Sequence, residues 1–297
     1  MKSMFNKIET MLDSSWEDRE KNVKIHFVIT LIVAIAICFV SELLPIAVFV
    51  AGNFYANANN FATIFFILYG TKFALFYIFS FVYVFFVEKR SIKTLGFIKK
   101  GMLKNYGVGL LLGTALFLAT YLINIASGSL SLPRISENIS VDIFYMLLFF
   151  VFQGMAEEVV FRGFLQTSIA KSKNHVTAVL ISAAAFSLVH AFNPGVGFWG
   201  LFNIFLYGMF FSLLFIKCNN IFIVGGCHSA WNFVMGNVFG INVSGLDFSG
   251  SFLITDVTKN MDIFNGGSFG LEGGIIFTAV ILVANALVLL SLRRSSR

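Results

Sequence analysis

The sequence predicts an all-α polytopic membrane protein, a bundle of about eight transmembrane helices with both termini in the cytoplasm. Three observations carry that expectation. Of 297 residues, 58% are apolar and 12% are charged, whereas about a quarter of the residues in a soluble chain are charged. The mean hydropathy is +0.85. The apolar residues also gather into stretches close to the roughly 20 residues that cross about 30 Å of hydrocarbon.

Eight such stretches run near residues 25–50, 61–87, 106–126, 142–161, 176–193, 197–216, 221–240 and 273–292. Lysine and arginine positions set their direction, because short cytoplasmic loops keep them. Lys2, Lys7, Arg19, Lys21 and Lys24 precede the first stretch, and Lys89, Arg90, Lys93, Lys99, Lys100 and Lys104 follow the second. Lys171 and Lys173 follow the fourth, Lys217 the sixth, and Arg293, Arg294 and Arg297 the last. The alternate connections carry only Arg134 and Lys259. An even number of crossings with both ends inside satisfies this pattern, and a bacterial plasma membrane is the expected location.

The net charge of +6 then reflects positive-inside bias, and no aromatic-interleaved basic groove suggests nucleic acid. Residues 1–24 read as a cytoplasmic tail. In it Met4, Phe5, Ile8, Met11, Leu12 and Trp16 recur at helical spacing, as in an interfacial helix. No small-residue cleavage site follows the first apolar stretch, so it reads as a retained anchor in a single membrane domain over 25–297. Cys38, Cys218 and Cys227 have no paired ligand spacing, which argues against a disulfide framework or structural zinc site. The Gly- and Ser-rich stretch 241–272 reads as a flexible external loop.

Polar residues inside the apolar stretches are the informative set, since each charge there costs free energy. Glu42 and Lys72 lie at comparable depths and read as a structural ion pair. Asn124, Gln153 and Asn285 read as amides bonding between helices. A different group converges. The turn "KSKNH" places Glu157 and His190 each about 16 residues away from it on adjacent antiparallel helices, so they are roughly level. In "GCHSAWNF", His228 and Asn232 share one helix face. The heights agree if the hairpin protrudes about 10 Å into the cytoplasm, which predicts a cavity nearer the cytoplasmic face.

A carboxylate beside a neutral imidazole can hold and deprotonate water. A second imidazole and an amide can donate hydrogen bonds to a developing oxyanion. Glu158 and Arg162, at i and i+4, suit an intrahelical ion pair that holds the second carboxylate aside. Together these groups describe water attacking an amide.

"EEVVFRGFLQ", "FSLVH" and "HSAWN" carry the EExxxR, FxxxH and HxxxN motifs in order, and the chain thereby resembles the CAAX-protease and bacteriocin-processing family, also called ABI, of intramembrane endopeptidases. "KTLGF" around Leu95 and Gly96 adds a less specific likeness. The resemblance implies a catalytic core over 140–240. In it Glu157 and His190 activate water, His228 and Asn232 stabilise the oxyanion, and Glu158 and Arg162 organise the site. It also implies a membrane-associated or lipidated peptide as substrate and the lipid bilayer as partner. A glutamate-type reaction without a cofactor is expected. The alternative is a divalent metal such as zinc on Glu157, His190 and His228. Two other readings compete: a non-catalytic membrane scaffold or regulator, and a proton-coupled transporter.

Overall fold

A computed structural model describes residues 25–51, 61–137, 139, 141–248 and 250–295. The N-terminal tail, with its expected interfacial helix, lies outside the described residues. In chain order the main elements are α1 (Phe27–Ala51), α2 (Phe61–Val82), α3 (Met102–Ala126), β1 (Arg134–Ile135), α4 (Asp142–Ser172), α5 (His175–Val189), α6 (Phe198–Cys218), α7 (Ile221–Phe233), β2 (Leu253–Ile254) and α8 (Ile275–Ser295).

All eight expected stretches are helical, but by length and composition six of the described helices are long enough to cross a membrane. The other two are α5, with 15 residues, and α7, with 13 before a five-residue π-helical extension. Both begin at asparagine caps. The Asn174 side chain accepts from Thr177 N at 2.9 Å, and that of Asn220 from Phe222 N at 2.9 Å; each cap satisfies one of a helix's orphan amides. Helix α5 stops at Val189, a few residues before Pro194, which cannot continue a helix. At 1.5 Å per residue α5 is roughly 22 Å long, short of the about 30 Å of a hydrocarbon core.

Contacts sort the connections into two ends. At one end Lys173 lies over the Phe27 ring at 4.9 Å, Lys217 bonds to Ser291, and Ile221 N donates to the Gly96 carbonyl at 3.0 Å. Arg90 reaches Thr167 and Ser168 of α4 at 2.9 and 2.8 Å. The "KTLGF" segment docks here, with Leu95 fully buried against Gly163. Among the described residues, this basic end gathers lysines and arginines that read as cytoplasmic.

The opposite, capped end is built from residues 127–137, 190–197 and 237–274. β1 pairs antiparallel with β2, Arg134 opposite Ile254 and Ile135 opposite Leu253. Asn193 bonds to the Ser244 carbonyl at 2.9 Å, and Asn265 to that of Ser129 at 2.9 Å. The stretch 241–272 is therefore a packed cap and not the flexible loop its composition suggests. Backbone groups in it are bonded by strand pairing and asparagine side chains, and its own Phe269 and Leu271 are buried.

Between the ends, α7 is clamped by α3 and α4. A side chain on Gly113 of α3 would run into the Cys227 carbonyl, and one on Gly154 of α4 into Ser229. Small residues let the backbones approach, a packing mode suited to a medium with no hydrophobic drive between helices. The result fixes His228 and Asn232 relative to α4.

Candidate active site

Helix α4 supplies the two glutamates and separates their surroundings. Glu158 is fully buried, and its Oε1 accepts from Arg162 Nη1 at 2.9 Å and from His228 Nδ1 at 2.8 Å. Arg162, also fully buried, gives its other terminal nitrogen to the Gly208 carbonyl of α6 at 3.1 Å and lies over the Phe186 ring at 4.4 Å. An i, i+4 pair at zero exposure stands on geometry and extra hydrogen bonds, because desolvation offsets most of the Coulomb gain. Arg162 lies in a π-helical stretch, Val159–Gln166, that begins directly after Glu158. Such stretches occur disproportionately at functional sites.

Glu157 faces the other way, into a cavity of about 980 Å³. That size suits a drug-sized or short peptide ligand. Its Oε1 accepts from Gln153 Nε2 at 2.7 Å, and Gln153 Oε1 accepts from Asn232 Nδ2 at 2.9 Å. This relay spans α4 and α7 and leaves Glu157 Oε2 buried without a hydrogen-bond partner, with His228 Nε2 3.7 Å away. His190 lines the same cavity. Its Nδ1 is 2.7 Å from the Phe186 carbonyl, which can only accept. The proton is therefore on Nδ1, and Nε2 keeps its lone pair. The Phe186 ring meets His190 and His228 edge-on, at 4.8 and 5.9 Å between centroids.

The sequence-predicted residues are thus brought together: Glu157, His190, His228 and Asn232 line one cavity, while Glu158 and Arg162 stand behind it. Glu42 and Lys72 form their ion pair and also line the cavity. Gln153 bonds between helices as expected, but its place between Glu157 and Asn232 makes it part of the site. Asn285 bonds across to Leu206 O at 3.0 Å. Asn124 does not bridge helices: it donates to Thr120 O one turn back and accepts from Ser129 Oγ.

Two further corrections concern surroundings. The connections that line the cavity, residues 191–194, 243–248 and 272, belong to the capped end, and the basic connections contribute none of the lining. The cavity is therefore displaced away from the end that reads as cytoplasmic. Glu272, in the cap, was hidden in a stretch read as flexible. Its carboxylate accepts from Trp231 Nε1 at 2.8 Å and from Ser244 N and Oγ at 2.7 and 2.6 Å. Burial pushes its pKa up, and the Ser244 and Trp231 hydrogen bonds pull it back down.

No group of three or more His, Cys, Asp or Glu among the described residues is placed to hold a metal ion. His228 already turns one nitrogen to Glu158 and the other toward Glu157, and His190 Nδ1 is committed to a carbonyl.

No curated protein and no solved structure matches the chain. Residues 139–234, which run from just before α4 to the last turn of the α7 helix and hold all three motifs, match the family model described as Type II CAAX prenyl endopeptidase Rce1-like. Over those residues the chain is similar to that family of membrane proteases.

Proposed function

We propose that this protein is an intramembrane endopeptidase that hydrolyses a peptide bond in a membrane-associated or lipidated peptide with water activated by Glu157 and His190. The observation that carries the reading is the division of labour between adjacent glutamates: Glu158 is held behind the cavity by Arg162 and His228, whereas Glu157 lines the cavity and is held there through Gln153 alone, with its second oxygen unpartnered.

In this reading a water held by Glu157 Oε2 and His190 Nε2 attacks the carbonyl carbon as Glu157 takes its proton. His228, which gives its Nδ1–H to Glu158, acts in this reading as the doubly protonated ring, so that its Nε2–H and the free N–H of Asn232 donate to the oxyanion that forms. As the tetrahedral intermediate collapses, the C–N bond breaks and Glu157 returns the proton to the leaving nitrogen. Gln153 aims Glu157, and Arg162 keeps Glu158 and His228 in register. The chemistry uses no cofactor. The reading extends to eight spans, with α5 and α7 the short ones, both termini cytoplasmic and the membrane a bacterial plasma membrane.

The test is turnover of a membrane-peptide library by purified protein in nanodiscs, with and without chelator. Wild type yields product that survives chelation, and Glu157→Gln loses at least about 100-fold, the low end for a general base, with its thermal unfolding unchanged. Activity removed by chelator and restored by metal would replace this mechanism with a metal site on Glu157, His190 and His228. A folded wild type that yields no product would favour a scaffold.

A further inference from the structure

The cavity has a mouth, and its position bears on which peptides reach Glu157. Four lining side chains are both apolar and well exposed: Phe39 (50%) and Leu43 (61%) on α1, Leu188 (63%) at the end of α5 and Phe192 (82%) just beyond it. Exposed and lining at once, the two pairs mark where the cavity opens and read as its two lips. Counted from the basic end at 1.5 Å per residue, Phe39 and Leu43 stand roughly 18 and 24 Å along α1, Leu188 roughly 20 Å along α5, and Glu157 roughly 22 Å along α4. The lips are therefore level with Glu157. They lie inside the membrane span, in the half nearer the capped end, where exposed aliphatic and aromatic carbon faces lipid.

The two ends differ in charge. Cations at the described basic end include Lys89, Lys93, Lys99, Lys100, Lys104 and Lys217, whereas the described capped end has Arg134 and Lys259 against Glu137, Asp247, Asp256 and Asp262. Short loops rich in lysine stay in the cytoplasm. The capped end, and with it the leaflet holding the mouth, is then the non-cytoplasmic one.

We infer that the substrate is a peptide held in the non-cytoplasmic leaflet, which slides laterally between α1 and α5 to reach Glu157. This rests on the peptidase reading and sharpens it, since it selects exported peptides anchored in the outer leaflet over cytoplasmic tails. The mouth lies at bilayer depth and its lips are apolar, so the occupant carries an apolar anchor, either an acyl chain or its own hydrophobic sequence. The Glu42–Lys72 pair, whose side chains are 46% and 21% exposed, adds a polar contact in the same cavity for the peptide backbone or a charged group on it.

The experiment uses proteoliposomes sorted for orientation by labelling Asp256→Cys in the cap with a membrane-impermeant maleimide. A fluorogenic peptide, tethered either by an acyl chain or by a hydrophobic segment, is inserted into the outer leaflet of vesicles with the cap outside or the cap inside. Cleavage is expected about tenfold faster with the cap on the peptide's side, and the better tether identifies the anchor. Leu43→Trp with Leu188→Trp, which narrows the mouth, removes that advantage, whereas Leu111→Trp, on a lipid-exposed face of α3 outside the cavity, does not. Equal rates from both sides, or faster cleavage from the basic side, overturn the inference and leave the peptidase reading standing. If no vesicle yields product, photocrosslinking of a diazirine-bearing peptide to Glu157→Gln protein decides the point. Labelling of the α1 and α5 lips from the cap side alone upholds the mouth while the hydrolytic reading fails; labelling elsewhere overturns it.

Discussion

Each end of the bundle buries a glutamate in a connection, and the two are treated differently. At the basic end Glu88 meets Arg90 at 2.6 Å, Ser168 Oγ donates to the same oxygen at 2.9 Å, and Arg90 also donates to Thr94, Thr167 and Ser168. At the capped end Glu272 is as deeply buried, but its side-chain partners are the neutral donors of Trp231 and Ser244. Burial lowers the Arg90 pKa while Glu88 raises it; burial raises that of Glu272, and the Ser244 and Trp231 hydrogen bonds, with the more distant His228, lower it. The first arrangement ties α2 to α4 away from the cavity. The second borders the cavity and holds Trp231, which sits between His228 and Asn232 on α7. A charge neutralised locally is structural cement, whereas a charge held by neutral donors depends on the geometry around it.

The largest effect expected from this contrast is at the basic end. Arg90→Met strands the Glu88 carboxylate at 2% exposure, a loss of about 3–5 kcal/mol. Chemical denaturation in nanodiscs would read it. Replacing both partners, Glu88→Gln with Arg90→Met, should recover most of the loss, and peptidase turnover of the folded fraction should stay at the wild-type level in both variants. Failure of the double variant to recover would mean that Arg90 acts chiefly through Thr167 and Ser168. The cap should respond less in stability and more in function. Ser244→Ala removes one hydrogen bond to a buried carboxylate, about 1.5–3 kcal/mol. Because Glu272 steadies Trp231 beside the oxyanion donors, kcat should fall while KM holds. A change confined to stability would break the proposed link between cap and site.

What could be read from sequence was what side chains announce at fixed helical spacing. Glu157, Glu158 and Arg162 lie on one helix, His228 and Asn232 are one turn apart, and a lysine-marked turn made the level of His190 countable. The asparagine caps at 174 and 220 anchor that count. The cap was misread for a physical reason: glycine, serine and asparagine suit both solvated loops and backbone-bonded turns. Only the fold shows Asn237 donating to Gly250 O at 2.6 Å or Asn203 to the Glu272 carbonyl at 2.8 Å. Glu272 meets a tryptophan 41 residues away, a pairing without local periodicity. Gln153 was legible as a polar group but not as the bridge between Glu157 and Asn232. Gly109 and Gly113, four apart on α3, were an available sign of close helix approach. The cavity's displacement toward the cap followed from the early end of α5 at Val189, which places His190 at the start of a turn.

The subtlest difference between the ends concerns pH. A raised pKa means that the folded chain binds the Glu272 proton more tightly than the unfolded chain does. The stabilisation from this proton is complete below the ordinary glutamate value of about 4.3 and is lost as pH rises through the raised value. Glu272→Gln mimics the protonated side chain and cannot titrate. The stability of wild type relative to Glu272→Gln should therefore decline as pH rises across that window, with a slope of at most about 1.4 kcal/mol per pH unit for one proton. Denaturation midpoints of the two proteins over a pH series would measure it. Subtracting the variant removes the other carboxylates from the comparison. A relative slope of the opposite sign would mean that the three hydrogen bonds outweigh desolvation. The cap's carboxylate would then be held as firmly by Trp231 and Ser244 as Glu88 is by Arg90, and the contrast between the two ends would vanish.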